Sequence, residues 1–155
     1  KQVRALNGLQ WRCAAMRWGC VAGYTALKDL GASLDGPNST GMAPVHVATQ
    51  VVPDRGTEGL EWLAASKANI DALDNAGRTA VLVAVQVESL EALTLLKQLG
   101  AFGHITSKEG VSPILLANLK RHDQMVNFLR PWVFQDVQRA IREQQKDLVA
   151  SFIPK

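Results

Sequence analysis

The chain has 155 residues, enough for one domain with a sizeable core and too few for two ordinary ones. Apolar residues make up 47% and charged residues 20%, which argues against disorder and against a fibrous repeat. A formal charge of +3, scattered along the chain, gives no strong electrostatic case for nucleic acid, and no apolar run approaches the roughly 18 residues of a membrane span, the longest candidate being Ala80 to Val85.

Two cysteines, Cys13 and Cys20, cannot form the disulfide framework of a small secreted domain, and no signal peptide precedes them. The expectation is a cytoplasmic protein in a reducing compartment, soluble and without membrane insertion. The chain begins at Lys1 rather than Met, which fits a processed product or part of something longer.

Read in chain order, one pattern recurs. It is weakest at Gly8-Leu9-Gln10-Trp11-Arg12-Cys13-Ala14-Ala15, where only the glycine and the final alanine survive. Thirty-three residues on, Gly41-Met42-Ala43-Pro44-Val45-His46-Val47-Ala48 opens a second unit. Gly77-Arg78-Thr79-Ala80-Val81-Leu82-Val83-Ala84 follows after 36 residues, and Gly110-Val111-Ser112-Pro113-Ile114-Leu115-Leu116-Ala117 after a further 33. A second marker keeps the same register, since Gly31-Ala32, Lys67-Ala68 and Gly100-Ala101 close successive units. Such a period signals a repeat architecture.

Each opening predicts a helix start: a turn glycine, then Thr79 or Ser112 as cap, with Pro44 and Pro113 in a first turn where a missing N–H costs nothing. Recurring alanines at 15, 48, 84 and 117 let neighbouring helices approach closely. Second helices follow, with stripes Leu60, Leu63 and Ala64, then Leu90, Leu93 and Leu96, then Val126 and Leu129. One unit cannot bury its own face, so each leans on the next. The extra three residues are placed in a loop near Val51-Val52-Pro53-Asp54-Arg55-Gly56. Beyond Pro131, Val133, Val137, Ala140, Ile141, Gln144 and Leu148 fall at helical spacing, predicting one amphipathic helix that covers the open end of the stack.

The pattern resembles the ankyrin-repeat family, whose 33-residue unit is a turn and two antiparallel helices around Gly-x-Thr-Pro-Leu-His-x-Ala. Gly41 to Ala48 keeps the glycine, proline, histidine and alanine, and Asp74-Asn75-Ala76-Gly77-Arg78-Thr79 keeps the start of a finger loop and the threonine. No unit carries the full signature, and Lys67 replaces one closing glycine. The resemblance implies an all-α fold, an ankyrin-repeat solenoid of stacked helix-turn-helix units with a C-terminal capping helix. It divides a single domain over residues 1–155 into repeats at about 5–37, 38–73, 74–106 and 107–131 and a cap at 132–150.

Catalysis or metal binding would have to draw on His46, His104 and His122 with Cys13, Cys20 or carboxylates. Cys13 and Cys20 could share a helix face, but no second cluster completes a zinc site. The resemblance makes His46 a structural hydrogen-bonding residue, while His104 in a finger and His122 at an inter-helix turn read as solvated. Glu88 with Glu91, and Asp71 with Asp74, read as solvated faces rather than acid–base pairs. There is no phosphate loop, nucleophile elbow or HExxH. Neither an enzyme, nor a cofactor, nor a metal site is expected.

The resemblance also implies that contacts come from the finger tips and the inner face of the first helices. Two residues after the signature alanine stand Arg17, Gln50, Gln86 and Leu119, and next to them Trp18, Val51, Val87 and Lys120. After each signature glycine come Leu9, Met42, Arg78 and Val111. Together they describe a groove with an apolar stripe of Trp18, Met42, Val51, Val87, Val111 and Leu119, edged by Arg17, Arg78 and Lys120. Trp18 and the two valines have an alternative place between adjacent units. Phe102 is either displayed on the third finger or folded back over Gly103, and Trp11, Trp62 and Trp132 go to packing.

The leading expectation is a non-catalytic adaptor or scaffold that binds a peptide or protein surface, as a monomer or part of a larger chain. The alternatives are a regulatory ankyrin module whose chemistry lies on other domains, and a weakly basic binder of nucleic acid or acidic surfaces through Arg12, Arg17, Arg78, Lys120, Arg121, Arg139 and Arg142. An enzyme using Cys13, Cys20 or His46 is the third.

Overall fold

The computed structural model describes residues 25, 28–29, 34–38 and 40–152. Most of the first expected repeat, including Trp11, Arg12, Cys13, Arg17, Trp18 and Cys20, lies outside the described residues. What is described is all-helical, with no strand among the described residues. Six helices follow in order: α1 Pro44–Arg55, α2 Glu58–Ala65, α3 Ala80–Gln86, α4 Leu90–Gln98, α5 Pro113–Leu119 and α6 Asp123–Phe152. They pack as the pairs α1–α2, α3–α4 and α5–α6, and α3 sits between α1 and α5.

Local chemistry explains the helix starts. Thr79 Oγ1 accepts from the Leu82 amide, Ser89 Oγ from Ala92 and Ser112 Oγ from Leu115, each satisfying an amide that has no partner inside its helix. Pro44 and Pro113 occupy first-turn positions. Between pairs the chain makes tight finger turns: Asn38, Asp74 and Ser107 each accept from the glycine three residues on, Gly41, Gly77 and Gly110, all with φ between 71° and 79°. Leu60, Leu63, Val81, Val85, Leu93, Leu96 and Leu129 are fully buried and belong to one apolar cluster drawn from all three pairs.

Two boundaries differ from the sequence expectation. The segment around Pro53 is not a loop but the last turn of α1, which has 12 residues where α3 and α5 have seven. Buried Val52 continues the apolar face, Pro53 stands exposed and gives up one backbone bond of the last turn, and the Gly56 amide closes the helix on the Val52 carbonyl.

The break expected at 131/132 falls inside α6, which runs unbroken through Pro131. The cause is a missing stop signal. Gly100, at φ 82°, ends α4; the residue 33 positions later is Val133, a β-branched side chain that the left-handed region excludes. The second helix of the last pair and the expected cap are therefore one helix of 30 residues.

The side of α6 turned to the rest of the chain also differs from the predicted one. Trp132 and Asp136 are buried, whereas Phe134 (63% exposed), Val137 (46%) and Ile141 (49%) point outward. Asp136 Oδ2 accepts from the Gly103 amide at 2.7 Å, and the Trp132 ring lies against Gly103, so these two residues set the rotation of the helix.

Candidate functional site

The expected groove residues sit at the ends of α1, α3 and α5 and on the adjacent fingers. Arg78, after the finger glycine, donates from Nε to Asp74 Oδ2 at 2.7 Å and from Nη1 to Gln86 Oε1 at 3.1 Å. Lys120, just beyond α5, donates from Nζ to the Gln86 carbonyl at 3.0 Å and to Glu88 Oε1 at 2.8 Å. Gln86 thus joins a finger residue of its own unit to a cation of the next. His122 Nε2 lies 3.1 Å from Glu88 Oε2, which completes a continuous polar network. Its two hydrogen bonds, from Lys120 and His122, hold the Glu88 carboxyl below its ordinary value.

The apolar members behave unequally. Leu119 is 69% exposed and Leu115, one turn earlier on α5, 42%. Leu115 faces solvent because, among the described residues, no further first helix packs on α5; its equivalent in α3, Leu82, is buried, whereas Leu119 takes the position of Gln86, which is exposed too. Met42, Val51, Val87 and Val111 are half-buried, and Met42 packs on the core. The stripe is therefore a polar network with an apolar end at Leu115 and Leu119, not a continuous apolar groove. Arg17 and Trp18 lie outside the described residues.

Phe102 does not join these residues. It is half-buried on the side of α6, with the His104 ring edge-on at 5.6 Å and the Arg139 guanidinium 5.4 Å over its face. Its amide donates to Asp71 Oδ1 at 2.9 Å. Burial raises the Asp71 pKa, opposed by that hydrogen bond.

The carboxylates that the sequence placed on wet surfaces are mostly engaged. Asp74 is buried and accepts from the amides of Ala76 and Arg78 through Oδ1, besides the Arg78 side chain. Burial alone would raise its pKa, but those bonds and the Arg78 charge together hold it below the ordinary value. His104 and His122 each face a carboxylate, Asp136 at 3.4 Å and Glu88 at 3.1 Å, rather than water alone. His46 is fully buried, accepts at Nδ1 from the Ala43 amide at 3.1 Å and donates at Nε2 to the Arg78 carbonyl at 2.8 Å. Burial lowers its pKa despite the hydrogen bond to Arg78.

Among the described residues no three His, Cys, Asp or Glu side chains gather as metal ligands, and no buried side-chain polar atom lacks a partner. No described helix is long and apolar enough to cross a membrane. A cleft of about 660 Å3 lies between the end of α4 and α6, and another of about 470 Å3 runs along α2 and α4. The sequence did not point to the α6 cleft, because it exists only where α6 fails to stop. Compared with protein-family models the chain matches none, and no curated protein matches its sequence.

Proposed function

We propose that the chain is a non-catalytic interaction module, a divergent ankyrin-repeat solenoid, that binds a peptide or protein surface along the ends of α1, α3 and α5 and the finger loops beside them. The observation that carries this reading is the juxtaposition of an exposed apolar pair, Leu115 and Leu119, with the Arg78–Gln86–Lys120–Glu88 network. Apolar anchors beside a rim of organised charges suit a protein partner, since the anchors supply affinity and the rim supplies register. The spacing of the finger glycines, 36 residues from Gly41 to Gly77 and 33 from Gly77 to Gly110, with Thr79 and Ser112 in step, supports the ankyrin assignment. The cysteine count puts the module in a reducing compartment.

The test is affinity capture from native cells with the unaltered chain and with Leu119→Asp, with thermal melting run on both. The expected outcome is that at least one captured protein is lost with Leu119→Asp while the melting transition stays in place, since substitutions at so exposed a position fall within about 0.5 kcal/mol. Retention of every captured protein by the folded variant refutes the reading.

A further inference from the structure

The α6 continuation makes a surface that the preceding helix pairs do not have. Its cleft is floored by Trp132 and the Gly100–Ala101 backbone and walled by Lys97 of α4 and by Gln135, Gln138, Arg139 and Arg142 of α6. Two cations are held by aromatic faces: Lys97 Nζ stands 5.2 Å over the Phe128 ring, and the Arg139 guanidinium 5.4 Å over Phe102. Arg142 donates from Nε to the Gln138 carbonyl one turn earlier.

Among the described residues, no carboxylate lies within 4.0 Å of the nitrogens of Lys97, Arg139 or Arg142, and neither Lys97 Nζ nor the Arg139 guanidinium donates a hydrogen bond. A guanidinium stacked on a ring keeps its in-plane N–H groups available, and that edge matches a carboxylate two bonds at a time. Stacking also fixes the side chain in advance, so less rotamer freedom is lost when an anion arrives.

Of the two acidic residues on the cleft, Asp136 is buried and is held through Oδ2 by the Gly103 amide and His104. Glu143 stands among the α6 cations. Three cations against two carboxylates leave a mild positive field. Such a field attracts anions only weakly; what favours an acidic peptide over a phosphate strand is the pair of glutamines beside the cations, which can meet peptide amides.

We propose that the cleft between α4 and α6 is a second interaction surface, which takes an Asp/Glu-rich peptide segment by pairing its carboxylates with Arg139, Arg142 and Lys97. Gln135 and Gln138 are placed to meet the peptide amides, and the cleft volume suits a few residues of extended chain. This surface is independent of the one at Leu119.

The experiment titrates the full chain against a dye-labelled Glu/Asp-rich peptide by fluorescence anisotropy. Saturable binding is expected, weakening by about tenfold or more in Arg142→Gln and in Lys97→Gln/Arg139→Gln, partly restored in Arg142→Lys, and falling as salt rises from roughly 50 to 200 mM. The same peptide with Gln and Asn in place of its acids should not bind. Leu119→Asp should leave the isotherm unchanged, which separates failure here from failure of the first surface. Arg142 packs on no aromatic ring, so its variant keeps the test decisive even where loss of Arg139 disturbs folding. Absence of saturable binding, an isotherm unmoved by Arg142→Gln, or tighter binding of a single-stranded oligonucleotide or of inorganic phosphate than of the peptide overturns the proposal.

Discussion

The imidazole of His46 donates from Nε2 to the carbonyl of Arg78, 2.8 Å away and 32 residues further along the chain. Because Nδ1 accepts from the Ala43 amide, the proton must sit on Nε2, so one neutral tautomer ties the start of α1 to the next finger. Replacing His46 with Phe keeps a ring but leaves the buried Ala43 amide unpaired and removes one of two donors from the Arg78 carbonyl, which keeps the Asp74 amide at 3.0 Å. The expected loss is about 1–3 kcal/mol in urea denaturation. Burial holds the folded pKa below the ordinary imidazole value of 6.5, so the stabilisation is complete above about pH 6.5 and drains away as pH falls from there through the folded value, where protons favour the unfolded chain. In His46→Phe this part of the stability–pH profile should flatten. An unchanged slope would mean that another group carries it.

Asp74 makes the opposite titration. Its carboxylate closes the finger around Gly77 and pairs with Arg78, whose Nη1 reaches Gln86, so loss of Asp74 should disturb the proposed surface as well as stability. Asp74→Ala should cost about 2–3 kcal/mol and Asp74→Asn, which keeps an acceptor for the two amides, about 1 kcal/mol. With the folded pKa below 3.8, its contribution is present above roughly pH 4 and is lost as pH falls through the folded value. Acid titration of the two variants, followed by circular dichroism, should show this acid limb removed in both. Retention of the limb in Asp74→Asn would refute the assignment.

How far the sequence could be read follows from where the information lies. Capping residues, finger glycines and the alanines at 48, 84 and 117 act within a few residues of themselves, and each of those alanines is buried. Features set by contacts across units were out of reach. Nothing near Phe102 announces that Arg139 will lie over it, and Val137 and Ile141 read as a buried face because the anchors that rotate α6, Trp132 and Asp136, find their partner at Gly103 in another unit. The extra turn of α1 was hidden by Pro53, which normally marks a break. At the proposed surface, the spacing puts Arg78, Gln86 and Lys120 at positions that hydrogen bonds connect, whereas the half-burial of Met42, Val51, Val87 and Val111 depends on packing that spacing does not encode.

Lys67 occupies the position that Gly100 holds 33 residues later, and it adopts the same left-handed conformation at φ 61°. Left-handed backbone costs a side-chain-bearing residue roughly 1–2 kcal/mol that glycine does not incur. Lys67→Gly should therefore stabilise the chain by about 1 kcal/mol, visible as a higher melting temperature, despite the greater freedom glycine brings to the unfolded state. Destabilisation would show that the long Lys67 side chain makes a contact outweighing the strain.

Gly103 is required for room rather than for an unusual φ. A Cβ there would lie 2.9 Å from Trp132 Cδ2 and 3.1 Å from Cε2, and the indole cannot retreat, being buried and packed edge-on against Phe128. Gly103→Ala should thus cost about 1–3 kcal/mol through overpacking, and by pushing α6 away it should lengthen the Asp136 bond to the Gly103 amide. Trp132→Leu should be destabilising by itself through the cavity it leaves. In the double variant the smaller side chain makes space for the new methyl, so the two costs should add to less than their sum, with a coupling of about 1 kcal/mol in a double-mutant cycle. The same cycle with Gly100→Ala in place of Gly103→Ala should be additive, because nothing lies within 4 Å of a Cβ at Gly100 and its cost comes from φ alone. Strict additivity in both cycles would show that the ring does not rest on Gly103, and with it the account of how α6 is rotated would fail.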